Sequence, residues 1–303
     1  MNADIELLAQ QLERHPDYKV LRRLKPNTIF NAELSSNNLC RGVVLDTETT
    51  GMDSASDKVI ELGMLLFDFD PISGSIHKVL EVFDELEDPG FPIPPETIAV
   101  HHITDAMVQG RQINDRRVEE LLADVQVVIA HNAAFDRPFV EARWPIFESL
   151  NWACSIKDID WRQEGFGSAK LEYLLSTQGY FYEAHRAEAD CHALLALLNH
   201  VLPLSQQTVL LTLLETLNKP MKKVYAVGSP FETKDILKAR GYRWSAQLRC
   251  WSRLVAGDKE LQDELGWLKH KVYGERKARL EVETQGPRVR YSNREGHKEF
   301  VNL

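Results

Sequence analysis

Short apolar runs that end abruptly in acids or in His-Asn constrain this chain more than any other feature. Val43-Val44-Leu45 runs straight into Asp46, followed by Thr47, Glu48, Thr49, Thr50 and Gly51. Val59 to Phe69 is a second run, with Ile60, Leu62, Met64 and Leu66 at period two, and His77 to Phe83 is a third. Pro71, Ser73 and Gly74 supply turn chemistry between them, so the three runs predict an antiparallel meander. After a Pro-rich connector at 89–95 the texture changes to alternating helices and strands. Helical segments are expected over 97–108 and 116–122, then a buried strand over 125–130 that ends at His131-Asn132. A helix over 135–143, a strand within 150–160, a helix over 170–178 stopped by Gly179, and a helix over 187–201 follow. Hairpins first and βα units afterwards predict an α/β fold: a mixed sheet, three antiparallel strands then parallel strands, flanked by helices. The polar clusters fall at strand ends and helix starts, where sites form in such sheets.

The chain has 303 residues, 44% hydrophobic and 27% charged, which excludes a disordered protein. At about 150 residues per domain, that length accommodates two domains. No apolar stretch approaches a membrane span of about 18 residues, so no membrane partner is expected. The N-terminus carries acids where a secretion signal needs a basic and then an apolar run, and the expected location is the cytoplasm. Cys40, Cys154, Cys191 and Cys250 form no CxxC pair and are expected to be reduced, mostly buried thiols.

The net charge of -9 is unevenly distributed. Residues 220–303 hold 18 Lys and Arg against 11 Asp and Glu, whereas residues 1–219 hold 18 against 34. Two units with different partners are implied, the basic one suited to a polyanion or simply to a solvated surface. The expected organisation is an N-terminal helical arm over 1–40, packed on a larger domain over 41–203. A linker or helix over 204–219 and a small basic α+β module with a basic tail over 220–303 follow. In the arm, Ile5, Leu8 and Leu12 form a helical stripe, and Tyr18 to Leu24 reads as a second short helix.

Three segments carry the candidate chemistry. Asp46 and Glu48 stand two apart on a strand and point to one face. Two carboxylates that close repel unless a proton or cation intervenes, and all-oxygen clusters suit Mg²⁺ or Mn²⁺. Asp136 opens a helix just after His131 and Asn132, and His185 and Asp190 open the long helix at 187. Each acid taken alone also fits a solvated strand end or a helix cap.

Together the residues resemble the DEDDh family of 3'→5' exonucleases, which has a ribonuclease H-like fold. Asp46-Thr-Glu48-Thr-Thr-Gly51, His131-Asn-Ala-Ala-Phe-Asp136 and His185-Arg-Ala-Glu-Ala-Asp190 match its three motifs in order. Residues 96–108, ETIAVHHITDAMV, are similar to a segment of bacterial proofreading (epsilon) subunits, with His102 where a Gly is usual. The likeness covers about residues 41–202. It implies a metal-dependent 3'→5' exonuclease that acts on DNA, in repair or proofreading, and releases nucleoside monophosphates. Two divalent ions, Mg²⁺ or Mn²⁺, would be held by Asp46, Glu48, Asp136 and Asp190, with His185 as general base. Imidazole suits that role because it ordinarily titrates nearest neutral pH. Thr49, Thr50, Gly51 and Met52, with His131, Asn132 and Phe135, would hold the terminal nucleotide. Met52 and Phe135 also fit plain core packing.

The module over 220–303 falls outside the likeness. Arg240, Arg243 and Arg249 can neutralise phosphates, and Trp244 and Trp251 can stack on bases or fill the core of a small domain. The expected partner is nucleic acid, most simply single-stranded DNA or 3' ends, and association with a polymerase is a further option. An RNA-trimming exoribonuclease of the same fold, and a non-catalytic nucleic-acid-binding protein, are the alternatives. Oligomeric state is not legible.

Overall fold

The structure, a computed structural model, describes residues 2–32, 38–219 and 221–303. Residues 33–37 of the expected Asn- and Ser-rich loop, and Pro220 at the expected module boundary, lie outside the described residues. Two units are distinguished, 1–214 and 215–303.

The first unit opens with α1 (Asn2–Glu13) and β1 (Arg22–Arg23). The expected second helix of the arm is therefore corrected: Arg22 and Arg23 pair in parallel with β7, introduced below, through Tyr180 and Phe181. The helix expected from the stripe on α1 is present, but the stripe faces solvent. Ile5, Leu8 and Leu12 are 62%, 59% and 43% exposed, so they pack no core. Instead the opposite face tethers α1, with Arg22 reaching Glu6 at 2.7 Å and Glu13 at 2.5 Å.

The meander follows as β2 (Cys40–Thr49), β3 (Val59–Phe69) and β4 (Ile76–Leu86). The helix expected over 97–108 is divided into α2 (Pro95–His101) and α3 (Asp105–Val108). His102 breaks it with a left-handed backbone, φ 60°, which explains why a Gly suits that position. Next come α4 (Asp115–Leu122), β5 (Val125–Ala130), α5 (Ala133–Arg143), β6 (Trp152–Cys154), α6 (Leu171–Thr177), β7 (Tyr180–Phe181) and α7 (Ala187–Leu198). The sheet order is β4-β3-β2-β5-β6. The pairs β4-β3 and β3-β2 are antiparallel, and β2-β5 and β5-β6 are parallel. This is the mixed, ribonuclease H-like sheet expected. The runs Val43 to Leu45 and Val127 to Ala130 are buried because helices cover the strands they belong to: α7 packs on β2 and β3, and α5 on β2, β3, β5 and β6. Helix α8 (Val209–Leu217) closes the unit and buries Val209, Leu210 and Leu213.

In the second unit β8 (Met221–Ala226), α9 (Lys234–Ala239), β9 (Arg243–Ser245), β10 (Cys250–Ala256), α10 (Gly257–Leu268), β11 (Arg279–Gln285) and β12 (His297–Asn302) form an α+β module. Its antiparallel sheet runs β12-β11-β8-β10-β9. Val224, Ala226, Val255, Leu280 and Val282 make a core with Leu237, Leu261, Leu265 and Leu268 of the helices. The basic stretch over 276–294, expected as a tail, thus supplies β11 of the sheet. All four cysteines are free, and Cys154, Cys191 and Cys250 are buried. Among the described residues no helix is long and apolar enough to cross a membrane.

Candidate active site

The site forms where β2 outruns its neighbour. Strand β5 ends at Ala130, opposite Leu45, so the last residues of β2 have no parallel partner. The freed N–H of Thr47 donates instead to Asp136 Oδ1 at 3.1 Å, and the Thr47 hydroxyl donates to the same oxygen at 2.9 Å. That bond draws the first turn of α5 to the end of β2. Asp46 and Glu48 alternate with Thr47 and face α7, because their ladder partners are Gly63 and Glu61 on β3. Asp190, one turn inside α7, completes the cluster: single carboxylate oxygens of Asp46, Glu48 and Asp190 lie within 4.8 Å of one another.

Such crowding is electrostatically costly. Desolvation first, then the charges of Asp136, Asp190, Glu48 and Glu61, push the Asp46 carboxyl well above its ordinary range. Desolvation, Asp190 and Glu61 raise Glu48 to about 8, and desolvation raises Asp136 to about 7 against the bonds from Thr47. Asp190 is raised mainly by desolvation, although Tyr182, His185 and Arg186 donate to it. Without a cation Glu48 retains its proton at neutral pH and Asp136 retains its proton in part. A set of converging carboxylate oxygens that holds protons this tightly fits a hard divalent cation, which would displace them.

A cleft of about 670 Å³ opens over the cluster. Met52, His131, Asn132, Phe135 and His185 line it. Met52 is 82% exposed, which rules out core packing for its side chain. Asn132 adopts φ 91° at the turn into α5, and the Phe135 ring lies 5.1 Å from that of Phe139. His131 Nδ1 sits 2.7 Å from the Ser155 hydroxyl, and desolvation lowers this imidazole to about 4, so it is neutral at physiological pH. His185 is exposed, with a left-handed backbone, φ 69°, and its N–H donates to Asp190 Oδ2 at 2.7 Å.

Thr49, Thr50 and Gly51 are placed differently from the expectation. They are not among the residues lining the cleft. Thr49 and Thr50 are 5% and 1% exposed, and their hydroxyls donate to the Gly51 carbonyl and to Asp57. A Cβ on Gly51 would lie 2.5 Å from the Asp57 carboxylate. These residues build the turn that presents Met52. Sequence reasoning missed Thr47, Lys170 and Tyr182. Lys170 lines the cleft, and the Tyr182 hydroxyl donates to Asp190 Oδ1 at 2.7 Å. Thr47 lies between the two acids of its motif, and that position was its only sequence signal.

The five candidate nucleic-acid contacts of the second unit do not converge. Arg240 is held by Glu264 at 3.2 Å, which also binds Arg253 at 2.5 Å. Trp244 and Trp251 pair across β9 and β10 with their rings edge to face, 5.6 Å apart. Arg243 pairs with Ser252 instead and therefore occupies the opposite face of the sheet. Arg249 is exposed between these strands.

Residues 43–198 match the exonuclease family of the RNase T type. The chain belongs to this family. Curated relatives include the PolC-type DNA polymerase III of Lacticaseibacillus paracasei, 29% identical over 163 residues, half of this chain and 10% of that one. The DNA polymerase III epsilon subunit of Treponema pallidum is 29% identical over 165 residues, half of this chain and 72% of that one. The chain thus spans about a tenth of the length of the PolC-type relatives. Among solved structures, an exonuclease I superposes with a TM-score of 0.49 at 18% identity, covering 75% of this chain and 67% of that one.

Proposed function

We propose that this chain is a cytoplasmic, metal-dependent 3'→5' exonuclease that hydrolyses phosphodiester bonds at the 3' end of DNA and releases nucleoside monophosphates. The observation that carries the reading is the convergence of Asp46, Glu48 and Asp190, with Asp136 tied to Thr47, in one cleft beside His185. Asp46, Glu48, Asp136 and Asp190 would hold two Mg²⁺ or Mn²⁺ ions, which neutralise phosphate charge and acidify water when bound. His185, exposed at the cleft, takes the proton of the attacking water. Met52 and Phe135 offer apolar surface to the terminal base, and Asn132 and neutral His131 offer polar edges. Lys170 supplies a cation for a phosphate oxygen.

The basic second unit adds a sequence-independent hold on the nucleic acid. Trp244 and Trp251 work as an edge-to-face pair, and Arg243 contributes from the other face. A polymerase partner, which the epsilon-like relative makes worth testing, is checked by co-purification.

The test is degradation of matched 5'-labelled DNA and RNA single strands with Mg²⁺, Mn²⁺ or chelator, by wild type and Asp46→Asn. The expected result is a metal-dependent ladder from the 3' end, faster on DNA and reduced by about a thousandfold or more in the variant. Faster shortening of RNA would convert the reading to an exoribonuclease. Metal-independent cleavage, or none on either strand, would overturn it.

A further inference from the structure

Glu61 is a further acidic residue beside a cluster already crowded with carboxylates. It is 0% exposed, stands directly opposite Glu48 on the β2–β3 ladder, and its charge adds to the repulsion on Asp46 and Glu48. A carboxylate that works against its neighbours in this way needs compensating contacts. Both of its oxygens have them. Oε1 accepts from Arg186 Nε at 2.9 Å and from Arg186 Nη2 at 2.6 Å, and Oε2 accepts from the Ala187 N–H at 3.0 Å. Helix α7 has no capping side chain of its own at Arg186, so Glu61 caps it from another strand.

The residue just before this clamp is His185. Its left-handed turn is held from below by Asp190 Oδ2, which accepts from the His185 N–H at 2.7 Å and the Arg186 N–H at 3.2 Å. Asp190 also accepts from Tyr182 and belongs to the cation-binding cluster. An ion drawing on the same oxygens competes with those backbone bonds. Glu61 instead holds the Arg186 guanidinium and the Ala187 N–H, groups that do not bond Asp190. Close packing reinforces them: a Cβ on Gly63, two residues along β3, would lie 2.5 Å from the Ala187 carbonyl carbon.

We propose that the Glu61–Arg186 ion pair is a positioning device that holds the imidazole of His185 in its working place while Asp190 is committed to metal. The inference rests on the proposed role of His185 and deepens it. Neither Glu61 nor Arg186 is assigned contact with the reacting atoms.

The experiment is a double-mutant cycle on the full chain. Hydrolysis of a 5'-labelled single strand is followed for Arg186→Gln, Arg186→Lys and Glu61→Gln, each alone and with His185→Ala. Mn²⁺ affinity of the stripped protein is measured by calorimetry, and the His185 ring resonances are recorded by NMR. Arg186→Gln is expected to lower kcat by about ten- to a hundredfold, with KM and Mn²⁺ affinity within about twofold. In the His185→Ala background it should cost less than about twofold, because the positioned group is gone. Arg186→Lys should recover part of the loss, and the ring resonances should shift or broaden in Arg186→Gln. Equal losses in both backgrounds would overturn the proposal, as would a rise in KM alone, which marks Arg186 as a phosphate contact. Unchanged kcat with lowered thermal stability would also overturn it and leave only a helix cap. If wild type and His185→Ala cleave equally, the role of His185 itself fails and the positioning proposal falls with it. Should Arg186→Gln not fold, Arg186→Lys and the ring resonances decide alone.

Discussion

At the scale of single residues the site is defined by protons held where cations belong. Glu48 stands at about 8 and Asp136 at about 7 in the metal-free fold, against roughly 4 for free carboxyls. A folded value above the unfolded one means that the folded state binds the proton more tightly. The resulting stabilisation is complete below about pH 4 and is lost as pH rises through 7 and 8. His131 has the opposite sign: its folded value of about 4 lies below the usual 6.5, so stability falls as pH drops through that window. With two raised carboxyls against one lowered imidazole, chelated protein should melt at its highest temperature near about pH 4 and at a lower temperature by pH 9. Millimolar Mg²⁺ should raise the melting temperature by roughly 5 °C or more at pH 8, and less at pH 6, where protons compete. In Glu48→Gln the alkaline loss should shrink, along with the response to metal. Identical melting in chelator at pH 6 and 9, or no response to Mg²⁺ at pH 8, would contradict this account. The acids were legible because the motifs place them at strand and helix ends. The groups that orient them were not. Thr47 bonds Asp136 across 89 positions, and Glu61 meets Arg186 across 125.

Elements decide which of these residues meet. The β2–β3 register sets Glu48 opposite Glu61 and Asp46 opposite Gly63, and a one-residue slip would turn both acids to the other face. Gly63 lets α7 approach the sheet closely enough for Asp190 to reach the cluster. Gly63→Ala should cost about 1–3 kcal/mol, read by denaturant unfolding, and lower metal affinity as α7 is pushed away. Wild-type stability and affinity in that variant would show that the packing there relaxes freely. Strand and helix periodicity was visible along the chain, since apolar alternation follows the geometry of each element. Irregular points were not. His102 interrupts a helix that the pattern continues, and Arg22–Arg23 joins β7 as a strand where local pattern reads helix. The second outcome comes from partners distant in sequence, Tyr180 and Phe181.

For the whole molecule, the division of charge along the chain corresponds to two units of different chemistry. The second carries a surplus of cations, and the first carries a surplus of acids, of which Asp46, Glu48, Asp136, Glu172 and Asp190 line the cleft. A chain ending at residue 219 should still shorten short oligonucleotides at a rate within about threefold of the full chain. Its affinity for long single strands should fall. The slope of log affinity against log salt should become shallower, by roughly 0.7 for each phosphate that the second unit no longer neutralises. An unchanged slope, measured by fluorescence anisotropy over a salt series, would remove the second unit from nucleic-acid binding.

The strand-then-βα order, the acidic motifs and the contrast between an acidic and a basic part are legible along the chain alone. Each of these is written in local spacing and composition. Folding in three dimensions turns Met52 to the cleft and Thr49 and Thr50 inward, sets Arg243 and Trp244 on opposite faces, and brings Glu61 to clamp the turn before α7. Those outcomes depend on register and on close approach between distant segments, which no single stretch of chain encodes.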